Sequence, residues 1–376
     1  MSTDTEIPDA AVTALSPFTT RPDAIGNPPQ HYGNPLGEQR VLAEGTAIVD
    51  LSNRAVLTVT GPDRLSWIDS VTSQAVAKLQ PGDSAETLLL DPTGRVEYAV
   101  RLLDDGVTTW LLLEAEEAPR LHAWLDRMRF MLRVEVADRT ADYATIGTLG
   151  SPAISAAAPN DVALVWNDPW KSVVAGGHQY ALAAQHPSTE WTYSEILVDR
   201  ASLADIAASA IPAAGTLALE ALRIAAWRPR LATEADERTI PHELDWLRSA
   251  VHLNKGCYRG QETVAKVHNL GHPPRRLVML HLDGSEGVLP AHGDIVTSGA
   301  AGAEKEVGSV TSSALHYELG PIALAVIKRS TDATADLVVA AADGVAVAAA
   351  QEIIVPTDAG AEADVPRLPR LGAVRR

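Results

Sequence analysis

The sequence predicts an α+β protein made of two antiparallel α+β units and a small C-terminal β-barrel. Over residues 41–138, strand and helix patterns alternate in the order of a ferredoxin-like unit. The pattern partly repeats over residues 143–211. After Pro273 and Pro274 the chain consists of short strand patterns separated by Gly or Asp turns, which is typical of a barrel.

The two ends of the chain are expected to lack regular structure. Residues 1–38 are rich in Pro, Gly and polar residues, which favours a tail or a long surface strap. Residues 357–376 are also Pro- and Ala-rich, and we expect them to be flexible.

The first unit is predicted to span residues 39–140. Strands are predicted over residues 55–60, 87–90, 96–103, 107–113 and 134–136. Asp63 is a candidate N-cap for a helix over residues 64–78. A second helix is predicted over residues 116–131, because its apolar residues recur on one face.

The second unit is predicted to span residues 141–272, and the barrel residues 273–356. Strands of the second unit are predicted over residues 144–149, 162–166, 172–175, 180–184 and 196–198, with helices over 202–209 and 217–227. Barrel strands are predicted over residues 278–282, 295–297, 307–311, 322–327, 337–339 and 345–349. Two related α+β halves leave a crevice between them, and ligands favour such crevices.

Composition narrows the function classes. The chain of 376 residues has a formal net charge of -17, which argues against a general nucleic-acid or anionic-membrane binder. Its single cysteine excludes an internal disulfide and a self-contained iron–sulfur cluster. The N-terminus lacks a basic and then apolar leader pattern, and no membrane span is evident, so the cytoplasm is the expected compartment.

Several catalytic motifs are missing from the sequence. There is no Walker loop, no Gly-x-Gly-x-x-Gly after a strand and no Gly-x-Ser-x-Gly elbow. His242 and Glu243 do not form a zinc helix motif, because Trp246 stands where the second histidine should be. No metal site is therefore predicted.

The lone cysteine, Cys257, lies in a distinctive segment that we call the cysteine loop (residues 253–262, Leu-Asn-Lys-Gly-Cys-Tyr-Arg-Gly-Gln-Glu). Lys255 and Arg259 place positive charge on both sides of the sulfur, and a helix pattern begins at Gln261. These surroundings favour thiolate character and a reactive cysteine. The alternative is that Cys257 is a small core residue.

The region around the cysteine loop is basic although the whole chain is acidic. Residues 223–276 contain ten Lys and Arg against six Asp and Glu, an excess of four positive charges. This asymmetry indicates an anion-binding site. The alternative is that several of these arginines form surface ion pairs with Glu234, Asp236 and Glu237.

Residues 255–262 (Lys-Gly-Cys-Tyr-Arg-Gly-Gln-Glu) closely resemble the signature of the YgfZ family, folate-binding proteins related to the T-protein (aminomethyltransferase) of the glycine cleavage system. Residues 219–224, 228–230 and 240–244 resemble the run that precedes this signature. The resemblance implies a three-domain ring around a central channel that holds tetrahydrofolate. It also implies support for the assembly or repair of iron–sulfur proteins, including enzymes that modify tRNA.

The resemblance assigns candidate roles to particular residues. Cys257 is the candidate reactive centre at the folate cavity. The candidate cofactor-binding residues are Arg223, Arg228, Lys255, Tyr258, Arg259, Gln261, Glu262 and Glu190. In these roles, arginines such as Arg223 and Arg228 clamp the glutamyl tail of the folate, while a carboxylate recognises the pterin.

The sequence departs from the T-protein at two places. That enzyme carries an aspartate after the glycine turn of the hairpin, near the reacting folate nitrogen, whereas Glu97, Tyr98 and Ala99 follow Gly94 here. The Gly-Tyr-Thr-Gly-Glu segment whose glutamate holds the pterin is not recognisable, and Glu190 is its only stand-in. Both departures argue against aminomethyl transfer.

The leading hypothesis is therefore a tetrahydrofolate-binding maintenance factor whose partners are iron–sulfur client proteins or assembly factors, with a monomer as the favoured state. The alternative is a folate-dependent one-carbon transferase of the T-protein type, so whether the protein is an enzyme stays open. The T-protein mechanism needs no thiol, and Cys257 thus favours the first hypothesis. A folate domain for tRNA modification would need a nucleotide-binding partner domain that this chain lacks.

Overall fold

The computed structural model describes residues 14–299 and 304–364. The helices are α1 (Pro35–Ala43), α2 (Arg64–Val71), α3 (Ala118–Met128), α4 (Leu203–Ala208), α5 (Thr216–Ala225), α6 (Leu231–Glu234) and α7 (Gln261–Leu270). The strands are β1 (Ile48–Asp50), β2 (Ala55–Thr60), β3 (Ser84–Leu90), β4 (Val96–Asp104), β5 (Thr108–Leu113), β6 (Glu135–Asp138), β7 (Tyr143–Thr148), β8 (Val165–Asn167), β9 (Ser194–Asp199), β10 (Ala213–Ala214), β11 (Arg275–Leu282), β12 (Ile295–Ser298), β13 (Lys305–His316), β14 (Gly320–Lys328), β15 (Leu337–Ala340) and β16 (Ala346–Ile353).

The first sheet is antiparallel and has the strand order β3-β4-β5-β2-β6. Helices α2 and α3 cover one face, where Trp67 and Leu121 pack with Leu102 and Leu111 of the sheet. The other face carries Leu88 and further apolar residues of the central core. Both faces of this sheet therefore carry buried residues, and every residue of β5 is buried.

Helix α2 begins where the sequence predicts but is shorter. The helix ends at Val71 instead of residue 78, because the chain turns inward and the Ser73 hydroxyl donates a hydrogen bond to the Ala250 carbonyl. Asp63 is the N-cap residue of the helix, as predicted, but its carboxylate makes no capping hydrogen bond. The carboxylate instead forms an ion pair of 2.7 Å with Arg133.

The second sheet has the strand order β10-β1-β7-β9-β8, and it is antiparallel except for the β1–β10 pair. Strand β1 precedes the whole first sheet in sequence, so the chain begins the second sheet before it builds the first. The strands predicted over residues 172–175 and 180–184 do not form. There the Val174 and His178 amides donate hydrogen bonds to the backbone of residues 247–248, not to a sheet neighbour.

The described part of the N-terminal segment is folded onto the second sheet. Phe18 is fully buried in the cluster beneath this sheet. Arg21 donates hydrogen bonds to backbone carbonyls of residues 206–211. Helix α1 begins at Pro35, with Asn34 as a side-chain N-cap, which is a favourable use of proline at a helix start. The expectation that residues 1–38 lack regular structure was therefore wrong for the 3₁₀ turn at Pro17–Thr20 and for residues 35–38 at the start of α1, while residues 1–13 lie outside the described part.

The C-terminal domain is a closed six-stranded antiparallel barrel in the order β11-β14-β13-β12-β15-β16. Its interior is filled by small aliphatic side chains such as Val278, Val310 and Ala325. After the barrel, the Glu362 and Ala363 amides donate hydrogen bonds to the last carbonyls of α7. Residues 357–364 of the expected flexible tail are thus docked, and residues 365–376 are outside the described part.

The three parts of the molecule meet in one central core. It joins Leu88 and Trp110 of the first sheet, Leu197 of the second, and Met279 and Leu324 of the barrel. The predicted class, two α+β units with a C-terminal β-barrel, is confirmed. Within the described ranges, no helix is both long and apolar enough to cross a bilayer.

Candidate functional site

A cavity of about 290 Å³, which we call the central cavity, opens between the two sheets. Its walls come from the N-terminal segment, the first sheet, the second sheet and helix α5 with the segment after it. The lining residues are Asn27, Pro28, Gln30, Leu51, Asn53, Arg54, Glu86, Ala99, Arg101, Glu114, Glu117, Trp166, Asp168, Trp191, Tyr193, Thr216, Leu219, Glu220, Arg223, Arg228, Pro229, Arg230, Leu231 and Trp246.

Aromatic side chains form one part of the cavity wall. Trp191 and Tyr193 lie with ring centroids 5.1 Å apart, and Trp166 meets Tyr193 edge-on at 6.4 Å. The indole of Trp191 donates to Asp168, and that of Trp246 donates to Glu86. The rings are thus held in place by hydrogen bonds as well as by packing, and they suit a flat, ring-shaped ligand.

Arg228 joins the two sheets through a buried ion-pair cluster. Its guanidinium lies 2.7 Å from Glu86 of β3 and 2.9 Å from Asp168, which follows β8. It also stacks over Trp170, with 5.3 Å between the guanidinium carbon and the ring centroid. Two carboxylates already occupy this arginine, and only 6% of the residue is exposed.

Arg223 of α5 is similarly occupied. It pairs with Glu220 on its own helix, lies 2.8 Å from Glu234 and donates to the Ser312 hydroxyl of the barrel. It also donates to the backbone carbonyl of Arg228. The predicted partner Glu234 is correct, but the pair is buried and not on the surface. Arg223 and Arg228 are among the residues that line the cavity, and in this geometry both join separate elements.

A third cluster lies where β2, β4 and β9 approach one another. Arg54 pairs with Glu195, and Arg101 lies 3.4 Å from the same carboxylate. Burial opposes ionisation of Glu114, but the guanidiniums of Arg54, Arg101 and Arg230 outweigh it and hold its pKa well below the usual range. Two buried atoms here, Arg101 Nε and Glu195 Oε2, have no hydrogen-bond partner among the described residues.

Glu117 differs from the other carboxylates of the cavity. Burial, together with the nearby negative charge of Glu114, raises the pKa of Glu117 to about 7. The carboxyl group therefore changes its charge near neutral pH, where a cavity-lining group is able to exchange protons with a ligand.

The cysteine loop lies outside the residues that line the central cavity and is bound to the first unit. The ammonium group of Lys255 donates to the backbone carbonyls of Asp69, Thr72 and Gln74, at the end of α2 and just beyond it. Arg259 forms an ion pair of 2.6 Å with Glu97 of β4. Both predicted cations are therefore committed to partners on the first unit.

The remaining predicted site residues are not gathered around a ligand space. Tyr258 is buried and faces the Lys255 ammonium at 5.5 Å, and Gln261 donates to the Lys255 carbonyl. Cys257 and Glu262 are exposed. The exposure of Cys257 excludes the alternative that it is a core residue. Its predicted place at the folate cavity receives no support, because the described lining does not include it.

Glu190 is also exposed, in a 3₁₀ turn at Pro187–Glu190, and it is not among the described lining residues. Of the predicted site residues, the structure therefore brings only Arg223 and Arg228 to the central cavity.

Sequence reasoning missed the carboxylates that line the cavity. Glu86 interrupts an apolar strand, and Glu114 follows the apolar run of β5 directly. A charged residue within or just after a buried strand is a recognisable signal, because such a charge is rarely buried without a partner. The partners, however, come from distant parts of the chain and could not be assigned.

Three comparisons with known proteins bear on the fold. Residues 28–159 match the family profile of the GCVT N-terminal domain. The crystal structure of glycine cleavage system aminomethyltransferase T from Bartonella henselae aligns with a TM-score of 0.65 at 17% identity, covering 88% of this chain and 91% of that one. The chain has the fold of aminomethyltransferase T.

The sequence identity to individual relatives is modest. The aminomethyltransferase of Herpetosiphon aurantiacus is 25% identical over 315 residues, which cover 80% of this chain and 83% of the relative. A putative chloroplastic transferase of Arabidopsis thaliana is 26% identical over 63% of this chain and 56% of its own length. An iron-sulfur cluster assembly factor, the mitochondrial IBA57 homolog of Mycosarcoma maydis, is 26% identical over 62% of this chain and 56% of its own length. The relatives of similar sequence are therefore named either as transferases or as an iron-sulfur cluster assembly factor.

Proposed function

We propose that this protein binds a reduced folate in the central cavity and supports the assembly, repair or maintenance of iron–sulfur proteins, in the manner implied by its YgfZ-like cysteine loop. The observation that carries the proposal is the cavity itself, an aromatic-walled space with carboxylate acceptors at the centre of a T-protein fold. Its partners would be iron–sulfur client proteins or assembly factors, and its working compartment would be the cytoplasm.

The chemistry of the cavity suits the ring of a reduced folate. Trp191 and Tyr193 offer flat surfaces, and the unpartnered Nε atom of the cavity-lining Arg101 would be satisfied by a polar ligand or an ordered water. The volume of about 290 Å³ lies at the low end of the range of about 300–1,000 Å³ for ligand pockets. This size favours a bound bicyclic ring with the remainder of the molecule directed outwards.

The hairpin geometry supports maintenance over aminomethyl transfer. The resemblance to T-protein expects an aspartate on this hairpin, but it is Ala99 that lines the cavity, while Glu97 lies at an exposed position and pairs with Arg259. No carboxylate of β4, the second strand of this hairpin, is among the described lining residues. The M. maydis relative that is named as an iron-sulfur cluster assembly factor also supports the maintenance role.

Folate binding can be tested with a variant that fills the cavity. Ala99→Leu adds a side chain in the cavity without removing an ion pair, and Ala123→Leu makes the same change on the exposed side of α3. Wild type and Ala123→Leu should bind tetrahydrofolate in calorimetry with a free energy of about -8 kcal/mol, in the micromolar range. Ala99→Leu should bind much more weakly. No saturable heat from wild type up to millimolar tetrahydrofolate would overturn the proposal.

The iron–sulfur role needs a cellular readout. In a strain that lacks its YgfZ-family protein, wild type should restore the activity of an iron–sulfur enzyme, and Ala99→Leu should not. Because Cys257 is exposed, Cys257→Ala tests whether a surface thiol takes part. Full restoration by Ala99→Leu would separate the cellular role from the cavity, and no restoration by wild type would overturn the maintenance role.

Aminomethyl transfer remains the second candidate, because relatives named aminomethyltransferase cover about 80% of this chain. The purified protein should not support glycine cleavage when it is combined with the partner proteins of that system. Robust turnover there would favour the transferase and count against the maintenance role.

A further inference from the structure

One carboxylate of the central cavity has no hydrogen-bond or ion-pair partner in the part of the chain that the structure describes. Among the lining residues, Glu86, Glu114, Asp168 and Glu220 each pair with at least one arginine. For the Glu117 side chain, no hydrogen bond or ion pair occurs within the described residues, although it lines the same cavity. Glu117 is only partly exposed, and its oxygens are free to accept hydrogen bonds from a ligand or from solvent in the cavity.

The position of Glu117 is fixed by the local fold. It immediately precedes α3, and its amide donates to the Glu114 carbonyl at 3.1 Å, but its side chain does not cap the helix. The charged and titratable groups that act on it are Glu114, Arg101 and Arg230, and Tyr98 of β4 is also within its electrostatic range. Its oxygens are therefore left for the cavity and not for α3.

The charge of the cavity limits which end of a folate is buried. Five arginines line it, and the carboxylates number seven when the buried partners Glu195 and Glu234 are added to the five that line it. With every group ionised, the difference is two negative charges. Such a site repels the glutamyl carboxylates of a folate and attracts hydrogen-bond donors.

Resting on the proposed folate function, we propose that Glu117 is the acceptor for the amino-pyrimidine edge of the reduced pterin ring, and that the ring enters first while the glutamyl tail stays outside. This edge presents an amino group and a ring N–H side by side, which match the two oxygens of one carboxylate. Glu117 thus takes the recognition role that sequence reasoning gave to Glu190.

The proposal makes affinity depend on pH in one direction. The ionised carboxylate accepts both hydrogen bonds, whereas the protonated form gives up one acceptor. Because the pKa of Glu117 is about 7 in the free protein, affinity should fall as the pH drops below that value, by at most about tenfold per pH unit. Ligand binding should correspondingly lower this pKa and release protons near neutral pH.

Matched variants and ligand fragments test the proposal. Glu117→Gln keeps the shape but removes the charge, and Glu116→Gln makes the same change at an exposed neighbour. Binding of tetrahydrofolate, of a tetrahydropterin without a tail and of p-aminobenzoylglutamate would be measured by calorimetry between about pH 8 and about pH 6. Proton release would be read from two buffers of different ionisation heat.

We expect wild type and Glu116→Gln to bind the tetrahydropterin, with affinity falling by up to about tenfold over this pH range. Glu117→Gln should bind it at least about tenfold more weakly at high pH, with a flat pH profile and no proton release. Unchanged affinity and pH dependence in Glu117→Gln, or binding of p-aminobenzoylglutamate in preference to the tetrahydropterin, would overturn the inference. If wild type binds neither tetrahydrofolate nor the tetrahydropterin, the proposed function itself fails.

Discussion

Replacing Arg228 with methionine separates a structural arginine from a ligand clamp. The change removes the cation that lies 2.7 Å from Glu86 and 2.9 Å from Asp168, so two buried carboxylates lose their charge partner. Each keeps other donors, among them the indoles of Trp246 and Trp191. Breaking a buried pair by removing one partner costs about 3–5 kcal/mol, so the free energy of unfolding should fall by about that amount.

The measurement is equilibrium unfolding in urea, with Arg238→Met as the matched control. Arg238 is exposed, and its substitution should change stability by no more than about 0.5 kcal/mol. Adding Glu86→Gln to Arg228→Met should recover part of the loss, because the two residues are in contact and their effects are not additive. If Arg228→Met were as stable as the control but bound no tetrahydrofolate, Arg228 would be a ligand-binding residue. The conclusion that it stabilises the fold would then be refuted.

Three further predictions concern the cysteine loop and a buried histidine. Lys255→Met should lower the unfolding free energy by about 2–4 kcal/mol, because its hydrogen bonds to three backbone carbonyls are lost. Cys257→Ala should change this free energy by no more than about 0.5 kcal/mol, because the thiol is exposed. Equal losses of stability in the two variants would contradict this prediction. Gly260→Ala should lower the unfolding free energy by about 2 kcal/mol or more, because φ is +83° and the new Cβ would lie 2.7 Å from a carbonyl oxygen of the β3–β4 turn. At Gly256 a new Cβ would meet nothing within 4 Å, so Gly256→Ala should be tolerated. Burial lowers the pKa of His242 to about 3, so between about pH 6 and about pH 4 the unfolded chain binds a proton that the folded chain does not. Over this range the unfolding free energy of wild type should therefore fall by about 1.4 kcal/mol per pH unit more than that of His242→Gln. Parallel stability curves for the two proteins would argue against this prediction.

The cysteine loop shows how a local pattern can be correct while its assigned role is not supported. The sequence places two cations and two glycines around Cys257, and in the structure both cations and Gly260 make defined contacts. Lys255 binds the carbonyls at the end of α2, and Gly260 packs against the β3–β4 turn. These contacts dock the loop on the first unit, whereas the sequence alone suggested that they activate a thiol.

The carboxylates of the central cavity illustrate the opposite case. Nothing near Glu86 or Asp168 in sequence names a partner, since Arg228 lies 142 residues from the first of them and 60 from the second. An ion pair over such a separation depends on how the sheets face each other. For the same reason, the local sequence points to Glu190, whereas Glu117 is identified only by its place in the wall of the central cavity.

The sequence by itself determined the α+β class, the C-terminal barrel and most strands of the first sheet, because alternating and continuous apolar patterns are local properties. It also determined that one cysteine stands in a polar, glycine-bounded loop. Only the tertiary structure decided that β1 joins the second sheet, that the N-terminal segment is packed, and that the arginines are paired inside the cavity. These features depend on contacts between residues far apart in the chain, and such contacts leave no periodic trace in the sequence.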